Sequence, residues 1–329
     1  MPARKTNGKR KKPIKLLVFG DSGVGKTHFL LSAPKALVCD TEGGTDLFEG
    51  RKGFNFSVWE DDDGCKTTSV KETRKAMSYI QTAQGRKDYE TFCVDPYSAI
   101  WDDIQIQRQD YKETKRKYST DNEADVTAFT QSDWMVVKRL HKSIVIEMVN
   151  LPANVIVACR EKEVVETLPN GDMKKTGEYT YDGEKNMKYL FDIVLRIFID
   201  PKTKVRKGII VKSRSEFIQE GQVFENPTFA IFDEIINSQK GAKEAATPLS
   251  LEVKDNVFTE ADEANDYKKV VVEATTKLRS MKEKLSPEQQ DEILASCPKN
   301  NPNNIKTLEE AQKYSKKVEL YFTTYGSEE

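Results

Sequence analysis

Short, nearly unbroken apolar runs alternate with amphipathic stretches over the first two-thirds of the chain. IKLLVFG (14–20), ALVCD (36–40), FNFSVWE (54–60), TFCVD (91–95), NVIVACR (154–160), DIVLRIFID (192–200) and KGIIVKSR (207–214) all have strand length. The first, second, fourth and fifth are apolar at almost every position, the pattern of strands buried on both faces of a parallel sheet. Between the runs, 26–33, 68–83, 97–117 and 132–150 read as helices. Such repetition predicts a wound α/β sheet. Residues 161–182 read as a hairpin in which Asn170-Gly171 supplies the positive-φ pair of a tight turn. The last two strands, either side of a turn at 201–207, read as a second antiparallel pair at the sheet edge.

The pattern changes at both ends. Residues 1–13, MPARKTNGKRKKP, are basic with no apolar period and read as a disordered arm. Such an arm is either a solubilising tail or a contact to phosphate backbone or to another subunit. Residues 14–237 form the core, and the polar, poorly periodic 238–265 reads as a linker. A helical C-terminal region spans 266–329, with helices over 266–284, 286–296 and 306–323. Ser286 is its clearest N-cap, with Pro287 in the first helical position.

Composition narrows the function classes. The net charge is −1 although 32% of residues are charged, so any nucleic-acid affinity must come from local patches. Cys39, Cys65, Cys93, Cys159 and Cys297 are scattered without C-x-x-C spacing and read as reduced thiols. Two histidines argue against a His-rich metal site. No apolar run approaches the roughly 18 residues of a membrane span. The charged N-terminus has no apolar core of a secretion signal, so a cytoplasmic location is expected.

The chemistry is concentrated at the ends of the apolar runs. GDSGVGKT (20–27) fits G-x-x-x-x-G-K-[ST], follows a strand and opens a helix, the context a phosphate-binding loop requires. The expected nucleotide-binding set is Gly20, Asp21, Ser22, Gly23, Val24, Gly25, Lys26, Thr27 and His28. Amides of 23–27 point at the β-phosphate, Lys26 reaches the β/γ oxygens, and the Thr27 hydroxyl ligates Mg²⁺. TFCVD ends in Asp95, a Walker B aspartate for the Mg²⁺ shell; the alternative is a helix-capping aspartate before Pro96. VCDTEGGTD (38–46) delivers Asp40 and Glu42 to the carboxyl edge of the sheet, where ligands bind in open α/β folds. A carboxylate there can deprotonate an attacking water; the alternative is a loop with ordinary surface acids.

A P-loop, a strand ending in D-x-E after one short helix, and then Walker B resemble the RecA-type ATPase core. The DTEGGT phrase and its short spacing from the P-loop are similar to phage-encoded RecA-like proteins grouped with single-strand annealing recombinases. The resemblance covers roughly 14–235. It implies a RecA-like P-loop NTPase core with a mostly parallel sheet and an antiparallel edge hairpin, ATP and Mg²⁺ as ligands, and Glu42 as general base. It places Arg160, at the end of NVIVACR, where a RecA-type core carries a γ-phosphate-sensing residue, although RecA has glutamine there. It places Lys212 and Arg214 on the strand that sends cations into a neighbouring subunit's nucleotide, so the enzyme would work as a ring or filament; the alternative is a solvated basic strand edge.

By the same resemblance, single-stranded DNA would meet two stretches near the strand ends. One carries Lys115, Arg116, Lys117 and Tyr118, next to Tyr111 and Lys112. The other carries Lys174, Lys175, Tyr179 and Tyr181. Cations interleaved with aromatics suit phosphate contact and base stacking, although acids in both stretches also fit solvated faces. The C-terminal helices carry no basic stripe and would bind a protein, such as a single-strand binding, replication or recombination protein. Two other classes stay open. One is a regulatory ATPase such as a helicase loader. The other is a nucleotide kinase, which needs an arginine-rich lid, whereas the only insert of lid length, 161–186, has lysines and no arginine. A GTPase is disfavoured because no N-K-x-D motif is present.

Overall fold

The computed structural model describes residues 10–117, 129–168, 172–242, 244–245 and 256–325. The chain forms two compact units, Met1–Leu251 and Glu252–Glu329. In the first, β1 (Arg10–Lys11) and β2 (Lys15–Gly20) precede α1 (Lys26–Leu31), β3 (Ala36–Asp40) and β4 (Phe56–Val58). Next come α2 (Val70–Gln81), α3 (Gly85–Asp88), β5 (Thr91–Asp95), α4 (Tyr97–Lys117) and α5 (Gln131–Val149). The strands β6 (Asn154–Thr167), β7 (Met173–Tyr181), β8 (Ile193–Ile199), β9 (Arg206–Ser213) and β10 (Val223–Glu225) follow, then α6 (Asp233–Ser238) and β11 (Glu244–Ala245).

Nine strands build one sheet in the order β10-β9-β8-β2-β6-β5-β3-β4, with β7 paired to the outer half of β6. All pairs from β8 to β4 are parallel, and β9 runs antiparallel to both β8 and β10. This is the wound, mostly parallel α/β core with an antiparallel edge expected of a RecA-like ATPase. The continuous apolar runs are explained by burial on both faces. Leu17, Phe19, Leu37, Phe92, Val94, Val155 and Val157 face α2, α4 and α5. Their chain neighbours Leu16, Val18, Val38, Cys93, Ile156 and Ala158 face α1 and the short helical turn Phe229–Phe232.

Polar residues fix the frame at chosen points. Thr130 and Asp133 form a capping box at the start of α5. Asp133 also takes Lys112 at 2.7 Å and Arg108 at 2.9 Å, which ties α4 to α5. At the amino end of β2, buried Lys15 donates to the carbonyls of Leu151 and Ala153, both at 2.7 Å. Burial lowers its pKa to about 7, with Asp192 pulling the other way.

Three boundaries differ from the sequence reading. Strand 154–160 continues to Thr167 because the hairpin grows directly out of it, while the turn residues 169–171 lie outside the described residues. β10, only three residues long, has too little pattern to be read. The far end of the basic arm is ordered: Arg10–Lys11 pair in parallel with Glu244–Ala245, and Lys12 reaches Asp192 at 2.6 Å. Residues 1–9 lie outside the described residues.

The second unit contains α7 (Asn256–Met281), α8 (Pro287–Leu294) and α9 (Leu308–Tyr325). α7 starts inside the stretch read as linker. Ala274, Met281, Ile293, Ile305, Tyr314 and Val318 form the unit's own core. Ser286 and Gln289 complete a capping box with Pro287 in the first turn. Among the described residues, no helix is long and apolar enough to cross a membrane. Cys39, Cys93, Cys159 and Cys297 are buried free thiols, and Cys65 is an exposed one.

Candidate nucleotide site

The parallel register gathers the chemistry at one edge. Gly20 lies opposite Arg160 across β2 and β6, and Asp40 lies opposite Asp95 across β3 and β5. Four adjacent strand ends therefore deliver the P-loop, Arg160, Asp95 and Asp40 side by side. The glycines of the loop are sterically required. A Cβ on Gly20 would stand 2.2 Å from the Ile197 carbonyl oxygen, and Gly25 enters α1 with φ +95°. Lys26 Nζ donates to the carbonyls of Gly20 (2.9 Å) and Asp21 (2.8 Å), so its ammonium sits across the mouth of the loop.

Thr27 Oγ1 donates to Asp95 Oδ2 at 2.6 Å. Asp95 is 5% exposed, and burial pushes its carboxyl up to about 6 against the pull of Thr27 and Lys26; Asp40 and Glu42 push it further up. Burial also lowers the Lys26 ammonium, with Asp95 and Asp21 opposing. A hydroxyl and a carboxylate in contact form a hard-oxygen pair that fits Mg²⁺ shared with phosphates. No cluster of three or more His, Cys, Asp or Glu able to hold a metal occurs among the described residues.

The turn after β3 is organised by Asp40, which is 1% exposed. Its Oδ1 accepts from the amides of Glu42 (3.2 Å), Gly43 (2.8 Å) and Gly44 (3.2 Å). Its Oδ2 accepts from the amide (3.0 Å) and hydroxyl of Thr45, and from Lys66 at 3.2 Å. Although burial opposes it, this set of donors, led by Thr45, holds the Asp40 carboxyl below the usual range. Thr41 fastens the turn to the neighbouring strand end through Asp95 O (2.9 Å) and Pro96 O (2.8 Å). The chain then passes over Thr27: a Cβ on Gly44 would lie 3.5 Å from Thr27 Oγ1.

Glu42, two residues beyond Asp40, lies against Arg160. Glu42 accepts from Arg160 Nε at 3.1 Å and from a second guanidinium nitrogen, while Nη1 of Arg160 donates to Asp102 at 3.1 Å. The side chains of Glu42 and Arg160 are each 45% exposed. Glu42 raises the Arg160 guanidinium's pKa. At the root of β6, Ser98 Oγ accepts from the Arg160 amide (3.0 Å) and donates to Asp182 O (2.6 Å), joining α4 to both hairpin strands.

Other candidates lie elsewhere. His28 packs its imidazole edge-on against Phe48 and Phe54, and burial lowers its pKa. Lys212 donates to the carbonyls of Lys188 and Phe191, both at 2.7 Å, and Arg214 to Tyr189 O at 2.7 Å and to Asp192 at 3.6 Å. β9 runs antiparallel to β8, so these two cations sit at the opposite end of the sheet from their own P-loop. Asp192 is the acid that Arg214 and Lys12 share there.

The hairpin requires a correction. Tyr181, read as a base-stacking residue, is 2% exposed and edge-on to Phe19, with its hydroxyl donating to the carbonyls of Glu184 and Lys185. It closes the core because it is the last residue of β7, at the hairpin's base. Tyr179 is more exposed, with the Arg196 guanidinium 4.2 Å from its ring centre. Lys175 pairs with Glu163 at 2.7 Å, and Lys174 is exposed. Lys112, beside the other stretch, is buried against Asp133. Lys115, Arg116 and Lys117 form the end of α4, their side chains outside the description, and Tyr118 lies outside the described residues. Sequence reasoning missed Lys66, Asp102 and Arg206 at the site, none of which belongs to a motif.

The family AAA_24, described as an AAA domain, matches residues 12–220. No curated protein matches the sequence. Among solved structures, the RadB recombinase is 17% identical with a TM-score of 0.37, covering 65% of this chain and 87% of that one. A KaiC-like protein, PH0186, from Pyrococcus horikoshii OT3 is 10% identical with a TM-score of 0.38, covering 66% and 86%. The family match spans well over half of the chain and contains every strand end that forms the site, and the chain belongs to this family of AAA-domain P-loop ATPases.

Proposed function

We propose that the chain hydrolyses Mg²⁺-ATP as an oligomer on single-stranded DNA, in the recombination or replication setting implied by its resemblance to phage-encoded proteins. The observation that carries the reading is the meeting of Lys26, the Thr27–Asp95 pair and Glu42 at adjacent strand ends. Lys26 binds the β/γ oxygens. Thr27 and Asp95 would hold Mg²⁺, which when bound neutralises charge on the phosphates. Glu42 orients the attacking water and accepts its proton, with Arg160 hydrogen-bonded to the carboxylate that does so.

Lys212 and Arg214 cannot serve the P-loop of their own chain, since β9 carries them to the other end of the sheet. That supports a role in a neighbour's site, where two cations would stabilise the charge of phosphoryl transfer. Single-stranded DNA would meet the hairpin face of Lys174, Lys175 and Tyr179 and the end of α4. The hairpin grows from the same strand as Arg160, so a ligand on it has a short covalent path to Arg160, which hydrogen-bonds to Glu42.

ATP hydrolysis, with and without single-stranded DNA across protein concentration and with Lys26→Ala as blank, tests the reading. DNA stimulation with a steep concentration dependence is the expected result. A slow rate indifferent to both refutes it and favours a partner-regulating ATPase. The separate core of Glu252–Glu329 favours that second reading, because it gives the chain a second folded unit for a protein partner.

A further inference from the structure

The space beside Gly25 is filled by a residue outside every motif. A Cβ built on Gly25 would lie 2.4 Å from Cζ, 2.5 Å from Nε and 2.7 Å from Nη2 of Arg206. The guanidinium thus lies flush against the P-loop of its own chain, at the residue preceding Lys26. Its backbone is held firmly. Asp200 Oδ1 accepts from the amides of Lys202 (2.9 Å) and Thr203 (3.0 Å), and Asp200 Oδ2 accepts from Lys207 Nζ (2.7 Å), which fixes the 200–205 turn. The amide of Asn226 donates to Arg206 O at 2.8 Å.

The charge of Arg206 is treated differently from that of the cations around it. Lys207 has Asp200, Arg196 has Glu161, Arg160 has Glu42 and Asp102, and Lys66 has Asp40 and Asp46. Among the described residues no carboxylate pairs with Arg206, and its buried Nε has no hydrogen-bond acceptor. A partly buried guanidinium without an anion is costly, because its buried Nε–H loses water and gains no acceptor. Beside a phosphate-binding loop, an anionic oxygen of the ligand is the group that offsets this cost.

We propose that Arg206 is a same-chain ligand of the bound triphosphate, a second cation on the phosphate chain beside Lys26. The proposal rests on the reading of the P-loop as a triphosphate site. It separates two jobs that the sequence gives to basic residues of β9. Arg206, at the strand's start, binds nucleotide within the chain, while Lys212 and Arg214, at its end, are left for a neighbour.

Titration of the full chain with Mg²⁺-ATP by calorimetry tests this with Arg206→Met, Arg206→Lys and Lys26→Ala, each checked for an unchanged melt without nucleotide. Arg206→Gln replaces Arg206→Met if the latter does not fold. Loss of one charge-assisted contact predicts ATP affinity weakened about 10- to 100-fold in R206M, with R206K recovering most of the loss. ATP binding by R206M within about threefold of wild type overturns the proposal. So does equal weakening in R206M and R206K, the mark of a side chain that only props the loop. If wild type binds no better than K26A, the triphosphate reading itself falls, a result distinct from either.

Discussion

Replacing Asp95 by Asn should stabilise the nucleotide-free protein relative to wild type as pH rises, while abolishing Mg²⁺-dependent function. The buried carboxyl is pushed from 3.8 to about 6. At about 1.4 kcal/mol per pH unit, keeping it ionised in the fold costs about 3 kcal/mol. The folded pKa lies above the unfolded one, so the folded state binds the extra proton. Stability from this group is therefore fully present below about pH 4 and lost as pH rises through 6. Between pH 5 and 7.5 the expected loss is about 1.4 kcal/mol of that total, from the fraction protonated in each state. Asn cannot ionise, and its carbonyl can still accept from Thr27. Urea unfolding of both proteins in metal-free buffer at pH 5 and 7.5 measures this. The Asn-minus-wild-type difference should grow by about 1.4 kcal/mol in favour of Asn at the higher pH. The double difference cancels titrating groups not coupled to Asp95 and any constant cost of the new amide. A value of zero, or one of opposite sign, would refute the assignment of burial as the dominant influence on Asp95. Saturating Mg²⁺-ATP should reverse the order, raising wild type by mass action and leaving D95N nearly unmoved.

Glu42→Gln should lower ATP turnover by about 10²- to 10⁴-fold with nucleotide affinity and melting nearly unchanged, because the residue is half exposed and lies beside the phosphate loop rather than under it. Asp40→Ala should cost about 3–5 kcal/mol in urea melts, since it strands the buried Thr45 hydroxyl, a lysine and four backbone amides; a loss under about 1 kcal/mol would mean the turn holds itself. Reversal of Lys174 and Lys175 to Glu should weaken single-strand binding and flatten the slope of log affinity against log salt by about 1.4, and an unchanged slope would remove the hairpin from the DNA face.

How legible the site was depended on how local its chemistry is. The P-loop, Asp95 and Asp40 could be read because each closes a strand buried on both faces, and a continuous apolar run is the strongest pattern a parallel strand makes. Glu42 followed from the phrase DTEGGT. Arg206 was invisible: the strand was read as beginning at 207, and only the antiparallel register of β8 and β9 carries its side chain to Gly25. Tyr181 was misread for the reverse reason. Alternating lysines and tyrosines along the hairpin look alike from end to end, whereas the first rungs of the hairpin still belong to the core. β10 and the pairing of Arg10–Lys11 with Glu244–Ala245 depend on a few backbone bonds between distant segments, which no local pattern encodes.

The site divides into two mechanical halves. Asp95 and Asp40 end adjacent strands with packed helices on both faces, Thr27 opens α1 against Asp95, and Thr41 ties the turn after β3 to the end of β5, so their geometry can change only if the core moves. Glu42 and Arg160 are held by one another and by Asp102 at half exposure, where an ion pair is worth about 1 kcal/mol or less. A contact so weak sets no lasting geometry on its own. The half that grips ligand is therefore stiff, and the half that carries the general base can be moved by energies smaller than one good hydrogen bond. Arg160 begins the stretch of β6 that leaves the sheet and becomes the hairpin, so any displacement of the hairpin acts first on the softer half. The fold places a half-exposed ion pair where the strand that becomes the hairpin meets the candidate base.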